Sequence, residues 1–121
     1  MILVDTSIWI DHLRRGDALL EMRLIAALVL CHPFVVGELA LGNLRQRKQV
    51  LSALSNLPQA NIATEDEVLG LIDRQGLHGR GLGLVDVHLL AAARLTPGCT
   101  LWTRDRRLAG AAEAMGLSTD R

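Results

Sequence analysis

Short apolar runs alternate with longer segments of helical periodicity from one end of this sequence to the other. The runs have the length of buried strands, and such alternation is typical of a mostly parallel sheet covered by helices. No linker, internal repeat or low-complexity segment interrupts the pattern. It predicts one α/β domain over residues 1–121, with a mostly parallel central sheet of four or five strands and helices on both faces. The predicted strands lie at residues 2–4, 29–31, 61–63 and 100–102, with an edge strand beginning at 117.

Capping residues, proline and glycine mark the predicted helices. Pro33 suits the first turn of a helix that runs to Gly42. Thr64 and Glu67 have the spacing of a capping box. The other main helices are predicted over residues 44–57, 84–95 and 106–115, and the glycine-rich stretch 76–83 is predicted to be a loop.

Composition narrows the classes of function. The 13 basic and 13 acidic residues cancel, so the net charge predicts no polyanionic partner. Two Trp, one Phe and no Tyr offer few rings for stacking single-stranded bases. The start is too short and too acidic for a signal peptide, and the longest apolar run, residues 24–31, is too short to cross a membrane. With Cys31 and Cys99 interpreted as buried free thiols, we expect a soluble cytoplasmic protein.

Four carboxylates stand where the predicted strands end or soon after. Asp5 ends the first strand and Asp105 follows the strand at 100–102, while Glu38 and Asp86 lie near the starts of helices. Ligands of open α/β sheets bind beyond the carboxyl ends of the strands, so all four can reach one rim of the sheet. Taken alone, Asp5 and Asp105 could equally be helix-start carboxylates that the helix macrodipole favours.

Glu38 and Asp86 are harder to explain in that way, because both stand in apolar helical segments. Burying an unpaired charge costs several kcal/mol, so a carboxylate in such surroundings needs a partner. No lysine lies near any of the four acids, and Lys48 is the only one in the chain. A divalent cation is the economical partner, and ligands that are all oxygen favour Mg²⁺ or Mn²⁺ over zinc. The residues therefore predict an acidic metal site of the kind used in phosphoryl chemistry.

Four segments resemble the VapC-type PIN-domain toxins. They are residues 1–13 (MILVDTSIWIDHL), 35–42 (VVGELALG), 81–93 (GLGLVDVHLLAAA) and 101–108 (LWTRDRRL). Each segment contains one of the four acids, and the segments follow the order of the family over nearly the whole chain. One such match is weak evidence, whereas four at these spacings are specific.

The resemblance implies a PIN-like fold and an endoribonuclease, the toxin of a toxin–antitoxin pair, that cleaves structured RNA such as tRNA or ribosomal RNA. Members of this family usually form homodimers and are silenced by a cognate VapB-type antitoxin whose tail covers the acidic site. The implied catalytic and metal-binding residues are Asp5, Glu38, Asp86 and Asp105. The implied hydroxyls that position water or the carboxylates belong to Thr6, Ser7 and Thr103.

One departure from the family bears on the mechanism. Many relatives carry a further Asp two residues after the fourth acid, where this chain has Arg107, and Leu108 replaces a frequent Phe. Arginine at that position weakens a second metal site. We therefore expect one bound cation that activates a water molecule, with a carboxylate as the base.

Basic residues bunch in two places that matter for a nucleic-acid substrate. An ordinary solvated helix face explains such bunches, and contact with RNA phosphates is the alternative. The residues concerned are Arg45, Arg47 and Lys48 in one cluster and Arg104 and Arg106 in the other.

Three other functions compete with the ribonuclease. A PIN-like module that binds RNA or a partner without catalysis would be favoured by a missing acid, and none of the four is missing. A phosphatase of the haloacid dehalogenase kind also begins with an Asp at a strand end, but it requires Asp-x-Asp, and Asp5 is followed by Thr6 and Ser7. A DNA nuclease on the same fold is left open by the sequence.

Overall fold

Three short parallel strands and seven helices make up the computed structural model, which describes residues 1–119. Strands and helices alternate at the two ends of the chain, and helices alone fill its middle. In chain order the elements are β1 (Ile2–Val4), α1 (Thr6–Arg15), α2 (Ala18–Ile25), β2 (Val29–Leu30), α3 (Pro33–Ala40), α4 (Arg47–Asn56), α5 (Glu65–Gln75), α6 (Leu84–Leu95), β3 (Thr100–Trp102) and α7 (Arg106–Ala114).

The first strand of the chain lies at the centre of the sheet. The strand order is β2-β1-β3, and β1 pairs in parallel with both neighbours. Leu3 and Val4 are both fully buried although consecutive side chains of a strand point to opposite faces. Both faces of the sheet are therefore covered, as in parallel sheets generally. This confirms the predicted α/β class and the parallel sheet.

The sheet has three strands in the described part of the chain, fewer than the four or five predicted. Residues 61–63 form no strand, because Asn61 donates from its backbone to Thr96 Oγ1 (2.8 Å) and from its side chain to the Leu95 carbonyl (2.9 Å). These bonds hold the segment against the end of α6. Pairing with the edge of the sheet occurs slightly earlier and amounts to one isolated parallel bridge, between Cys31 and Gln59.

The opposite edge behaves in the same way. The strand predicted from 117 is also a single parallel bridge, between Leu101 and Ser118. Leu101 donates to the Leu117 carbonyl at 2.7 Å and accepts from the Thr119 amide at 3.3 Å. Each edge of the sheet is therefore extended by a single bridge. The prediction located the segment at 117, whereas the strand predicted at 61–63 was wrong and the bridge at that edge lies at Gln59.

Local signals fix several helix boundaries as predicted. Thr64 and Glu67 form both hydrogen bonds of the capping box, at 2.9 and 3.1 Å. Pro33 begins α3. The helix predicted from 44 begins only at Arg47, because Gln46 has left-handed backbone dihedrals (φ +50°) that an α-helix excludes. Within residues 1–119 no helix is long and apolar enough to cross a membrane.

Candidate active site

Asp5 marks the carboxyl end of the central strand. Its amide donates to the Trp102 carbonyl (2.9 Å), which continues the pairing of β1 with β3. Asp5 is the N-cap residue of α1, yet its side chain caps nothing. Instead its Oδ2 accepts one hydrogen bond from Ser7 Oγ and one from Thr103 Oγ1, both at 2.7 Å. Asp5 is 7% exposed, so these two hydroxyls replace water that the carboxylate has lost.

The segment after β3 is tied to the same carboxylate. Thr103 Oγ1 donates to Asp5 and accepts from the Asp105 amide (3.0 Å), while Ser7 Oγ accepts from the Arg104 amide (3.0 Å). Asp105 caps α7, since its Oδ1 accepts from the amides of Arg107 (2.9 Å) and Leu108 (3.2 Å). The ends of β1 and β3 and the start of α7 thus share one hydrogen-bond network.

Asp86 joins this group from the first turn of α6. Its Oδ2 accepts from the Gly83 amide at 2.9 Å, which fixes the carboxylate at the end of the glycine-rich loop. Burial raises the pKa of the Asp86 carboxyl, the Gly83 amide opposes that rise, and the charges of Asp5 and Asp105 add to it. Asp86 therefore lies within electrostatic reach of both other aspartates.

Glu38 approaches the group from α3 by a different route. Its Oε1 accepts a hydrogen bond from Thr6 Oγ1 at 2.6 Å, and Thr6 directly follows Asp5 in the chain. The sequence suggested a buried carboxylate here, and this was wrong, because Glu38 is exposed. Helix α3 buries Val35 and Leu39 on one side and leaves Phe34, Glu38 and other residues of the opposite side exposed. An apolar sequence around a residue does not bury it when the residue lies on the outward side of its helix.

Two of the five basic residues proposed to contact RNA are engaged within the protein. Arg104 Nε lies 2.7 Å from Asp11 Oδ2, and its Nη2 lies 2.5 Å from Asp17 Oδ2. Arg47 Nη2 donates to the Ala40 carbonyl at the end of α3 (2.8 Å). Arg45, Lys48 and Arg106 are exposed and form no side-chain hydrogen bond or ion pair within residues 1–119.

The Arg104 ion pairs are a feature that sequence reasoning missed. Arg15, one turn further along α1, lies 3.7 Å from Asp11, but Arg104 is much closer to it. Asp17 lies 87 residues from Arg104 in the chain, so no local pattern could join them. The Leu20 amide and the Arg104 guanidinium lower the pKa of Asp17, and burial opposes them. Arg104 therefore fastens the segment between Thr103 and Asp105 to α1 and to the start of α2.

The donor set suits a hard divalent cation. Each acid uses one oxygen in these hydrogen bonds. Within the described residues the second oxygens have no protein partner, namely Asp5 Oδ1, Glu38 Oε2, Asp86 Oδ1 and Asp105 Oδ2. No three His, Cys, Asp or Glu side chains of residues 1–119 are close enough together to hold a metal ion directly. Mg²⁺ commonly binds through one or two carboxylates and keeps several waters, so this spacing fits such a cation better than it fits zinc.

Comparisons with known proteins agree with this arrangement. The PIN-domain family model matches residues 2–114. Two curated relatives, both named Ribonuclease VapC32 and from two strains of Mycobacterium tuberculosis, are 52% identical over 118 residues. The alignment covers 98% of this chain and 95% of each relative. With four acids placed around the carboxyl edge of a parallel sheet, this chain belongs to the PIN-domain family.

Proposed function

We propose that this protein is a metal-dependent endoribonuclease and the toxin of a toxin–antitoxin pair. Its relatives at 52% identity carry the name ribonuclease, and family membership supports a divalent metal requirement. The observation that carries the proposal is the position of Asp86 within electrostatic reach of Asp5 and Asp105 beyond the ends of β1 and β3. Three acids at one rim are poorly explained as separate helix caps, because their charges repel one another.

The four acids would hold Mg²⁺ or Mn²⁺ through their second oxygens, directly or through water. Such a cation, when bound, lowers the pKa of a water molecule and offsets the charge of the phosphodiester. Ser7 and Thr103 keep the Asp5 carboxylate in one orientation, and Thr6 does the same for Glu38. Burial raises the pKa of Asp86. Asp86 is therefore the carboxylate best suited to accept the proton of the attacking water.

One cation per site is the arrangement we propose. Arg107 stands where many relatives have an acid, and its guanidinium packs against Gly81, in the loop that leads to Asp86. A β-carbon built on Gly81 would lie 2.8 Å from Arg107 Nη1. A positive charge at this position disfavours a second cation and is available to a substrate phosphate instead.

Structured RNA, tRNA or ribosomal RNA, is the proposed substrate. Arg45, Lys48 and Arg106 are the basic residues most available to its phosphates, because Arg47 and Arg104 are engaged within the protein. We also propose a cytoplasmic homodimer that a cognate VapB-type antitoxin silences. Support for the antitoxin comes from the VapC name of the relatives that are 52% identical to this chain. Light scattering of the purified protein tests the dimer, and rescue of growth by the co-expressed antitoxin tests the pairing.

The nuclease itself is tested on purified protein. Wild type should cleave tRNA or ribosomal RNA with millimolar Mg²⁺ or Mn²⁺ and not with a chelator, and Asp86→Asn should abolish cleavage while the protein stays folded. Asp73→Asn is the matched control, since Asp73 is exposed on α5. Full activity of Asp86→Asn would reject the site. Binding of RNA without cleavage would favour a non-catalytic module, and cleavage of DNA alone would favour a DNA nuclease.

A further inference from the structure

We propose that a cavity beside Glu38 binds the base of an unpaired nucleotide next to the scissile phosphate and so sets the base preference of cleavage. We call it the α1–α3 cavity, because it lies between α1, α3, the connection 41–46 and the start of α4. The inference rests on the proposed ribonuclease function and adds a specificity site to it.

The cavity adjoins the acidic site and has the size of a ligand pocket. Its volume is about 750 Å³, within the range of roughly 300–1,000 Å³ that small-molecule pockets occupy. Glu38 is one of its lining residues and also accepts the hydrogen bond from Thr6, the residue that follows Asp5. Glu38 therefore belongs both to the cavity and to the group of acids, so a nucleotide whose phosphate lies at the acids has the cavity beside it.

The lining has the two components that a base requires. Ile10, Leu13 and Val50 give apolar walls, and the first two are 39% and 37% exposed. Apolar side chains can pack against the faces of a base, which have no hydrogen-bonding groups. The chain has few aromatic rings, so aliphatic walls and guanidinium planes are the surfaces it can offer to a base.

Polar side chains surround these walls and have no other role in the described structure. Arg14, Asn43, Arg45 and Gln46 line the cavity, and none forms a side-chain hydrogen bond or ion pair within residues 1–119. Amide groups both donate and accept, which matches the edges of bases, and guanidinium groups can stack on a base or bind its phosphate. The amides of Asn43 and Gln46 are therefore the candidates for reading the base.

The backbone of Gln46 gives an independent reason to expect a role for its side chain. Its φ is +50°, in the left-handed region where glycine is the favoured residue, and its side chain makes no capping hydrogen bond to α4. Non-glycine residues held in this region are found preferentially at binding and active sites. Glutamine at this position has a backbone cost that glycine would avoid, and its side chain lines the cavity.

The proposal can be tested by sequencing the cut ends of a random RNA pool. Wild type with Mn²⁺ is compared with Asn43→Ala and with Gln46→Gly, which removes the side chain and suits the left-handed backbone. Gln49→Ala and Arg94→Ala are matched controls, since both residues are exposed and neither lines the cavity. We expect wild type to prefer one base beside the cut, the two cavity variants to lose about tenfold in that discrimination, and the controls to keep it.

Each contrary outcome has a distinct meaning. No cleavage by folded wild type would overturn the ribonuclease and the base site together. Cleavage by wild type without any base preference, or with a preference that both cavity variants retain, would overturn the base site alone. Retained preference with loss of antitoxin binding in the same variants would make the cavity a protein-docking groove. Equal melting temperatures of wild type and variants ensure that a lost preference is not a folding defect.

Discussion

The acidic site has two sides that are built differently. On the Asp5 side, a nearly buried carboxylate receives two hydroxyl hydrogen bonds and is joined through Thr103 to Asp105. On the Glu38 side, an exposed carboxylate has one hydrogen bond, and the chain beyond it runs through an irregular connection at 41–46. The first side is fixed by the sheet, and the second is fixed by the packing of helices and by the hydrogen bond from Thr6. Chemistry that needs exact positioning belongs on the first side, and fit to a variable substrate belongs on the second.

The largest expected effect separates the two sides directly. Asp5→Asn should lower the rate of RNA cleavage by on the order of a hundred- to a thousandfold, as loss of a buried electrostatic group at a reaction centre does. Glu38→Gln should cost less, because an exposed side chain with one hydrogen bond is more easily replaced by water. Single-turnover cleavage rates measure both. Equal losses in the two variants would show that the contrast between the sides has no functional meaning.

The supporting hydroxyls should show the same contrast at a smaller scale. Thr103→Val keeps the shape of the side chain but removes the donor to Asp5 and the acceptor for the Asp105 amide. We expect roughly a 10- to 100-fold loss of Mn²⁺ affinity or activity, typical of groups that orient metal ligands. Thr103→Ser should restore both, and Thr6→Val should have the weaker effect. Calorimetric titration with Mn²⁺ follows the affinity, and a Thr103→Val protein with wild-type affinity would contradict the assigned role.

The ion pairs of Arg104 should contribute mainly to the stability of the Asp5 side. Arg104→Gln leaves Asp11 and Asp17 without their partner, and for pairs this exposed a loss of about 1 kcal/mol or less in the free energy of unfolding is expected. The Leu20 amide first, and then the Arg104 guanidinium, lower the pKa of Asp17. The stability that comes from the Arg104 part is present above the unfolded pKa of 3.8 and is lost as the pH falls through the folded pKa. The free energies of unfolding of wild type and variant, measured with urea, should therefore differ at pH 7 and become equal at acidic pH. A difference that persists at pH 2 would point to another cause.

The smallest effect concerns the exposed cations on the substrate side. If Arg45, Lys48 or Arg106 binds a phosphate, its replacement by Ala should flatten the dependence of log binding constant on log salt by about 0.7 to 0.9. The measurement is RNA binding to the Asp86→Asn variant over a range of salt concentrations. Arg94→Ala, an exposed cation of α6, provides the matched control. Slopes that do not change would leave these residues as ordinary solvated charges.

The sequence was sufficient for the parts of this site that depend on short-range patterns. A strand that ends at Asp5, a glycine-rich loop before Asp86 and a helix that begins after Asp105 are each visible locally. Parallel topology then places the ends of β1 and β3 at the same rim, so the shared location of these acids followed from the order of the elements.

The features that were missed depend on interactions between distant residues. The pairing of Arg104 with Asp17 joins elements far apart in the chain, and the exposure of Glu38 depends on how α3 is rotated against its neighbours. Residues 61–63 do not form the predicted strand because Asn61 forms hydrogen bonds with residues at the end of α6. In each case the outcome depends on which distant residues come into contact in the folded protein. Local propensity carries no information about such contacts.

Thermal unfolding with and without Mn²⁺ tests the central claim, that Asp5, Asp86 and Asp105 form one charge-coupled cation site. A cation that binds only the folded protein adds about 2.7 kcal/mol at 100 times its Kd, which for a domain of this size raises the Tm by roughly 5–15 °C. Because the folded protein raises the pKa of Asp86, the stability that this group contributes is present below the unfolded pKa and lost as the pH rises through the folded value. At pH 7 Asp86→Asn should therefore raise the Tm in chelator and reduce the gain from Mn²⁺. The account would be contradicted if Mn²⁺ did not change the Tm of wild type. It would also be contradicted if, in chelator, Asp86→Asn had a lower Tm than wild type.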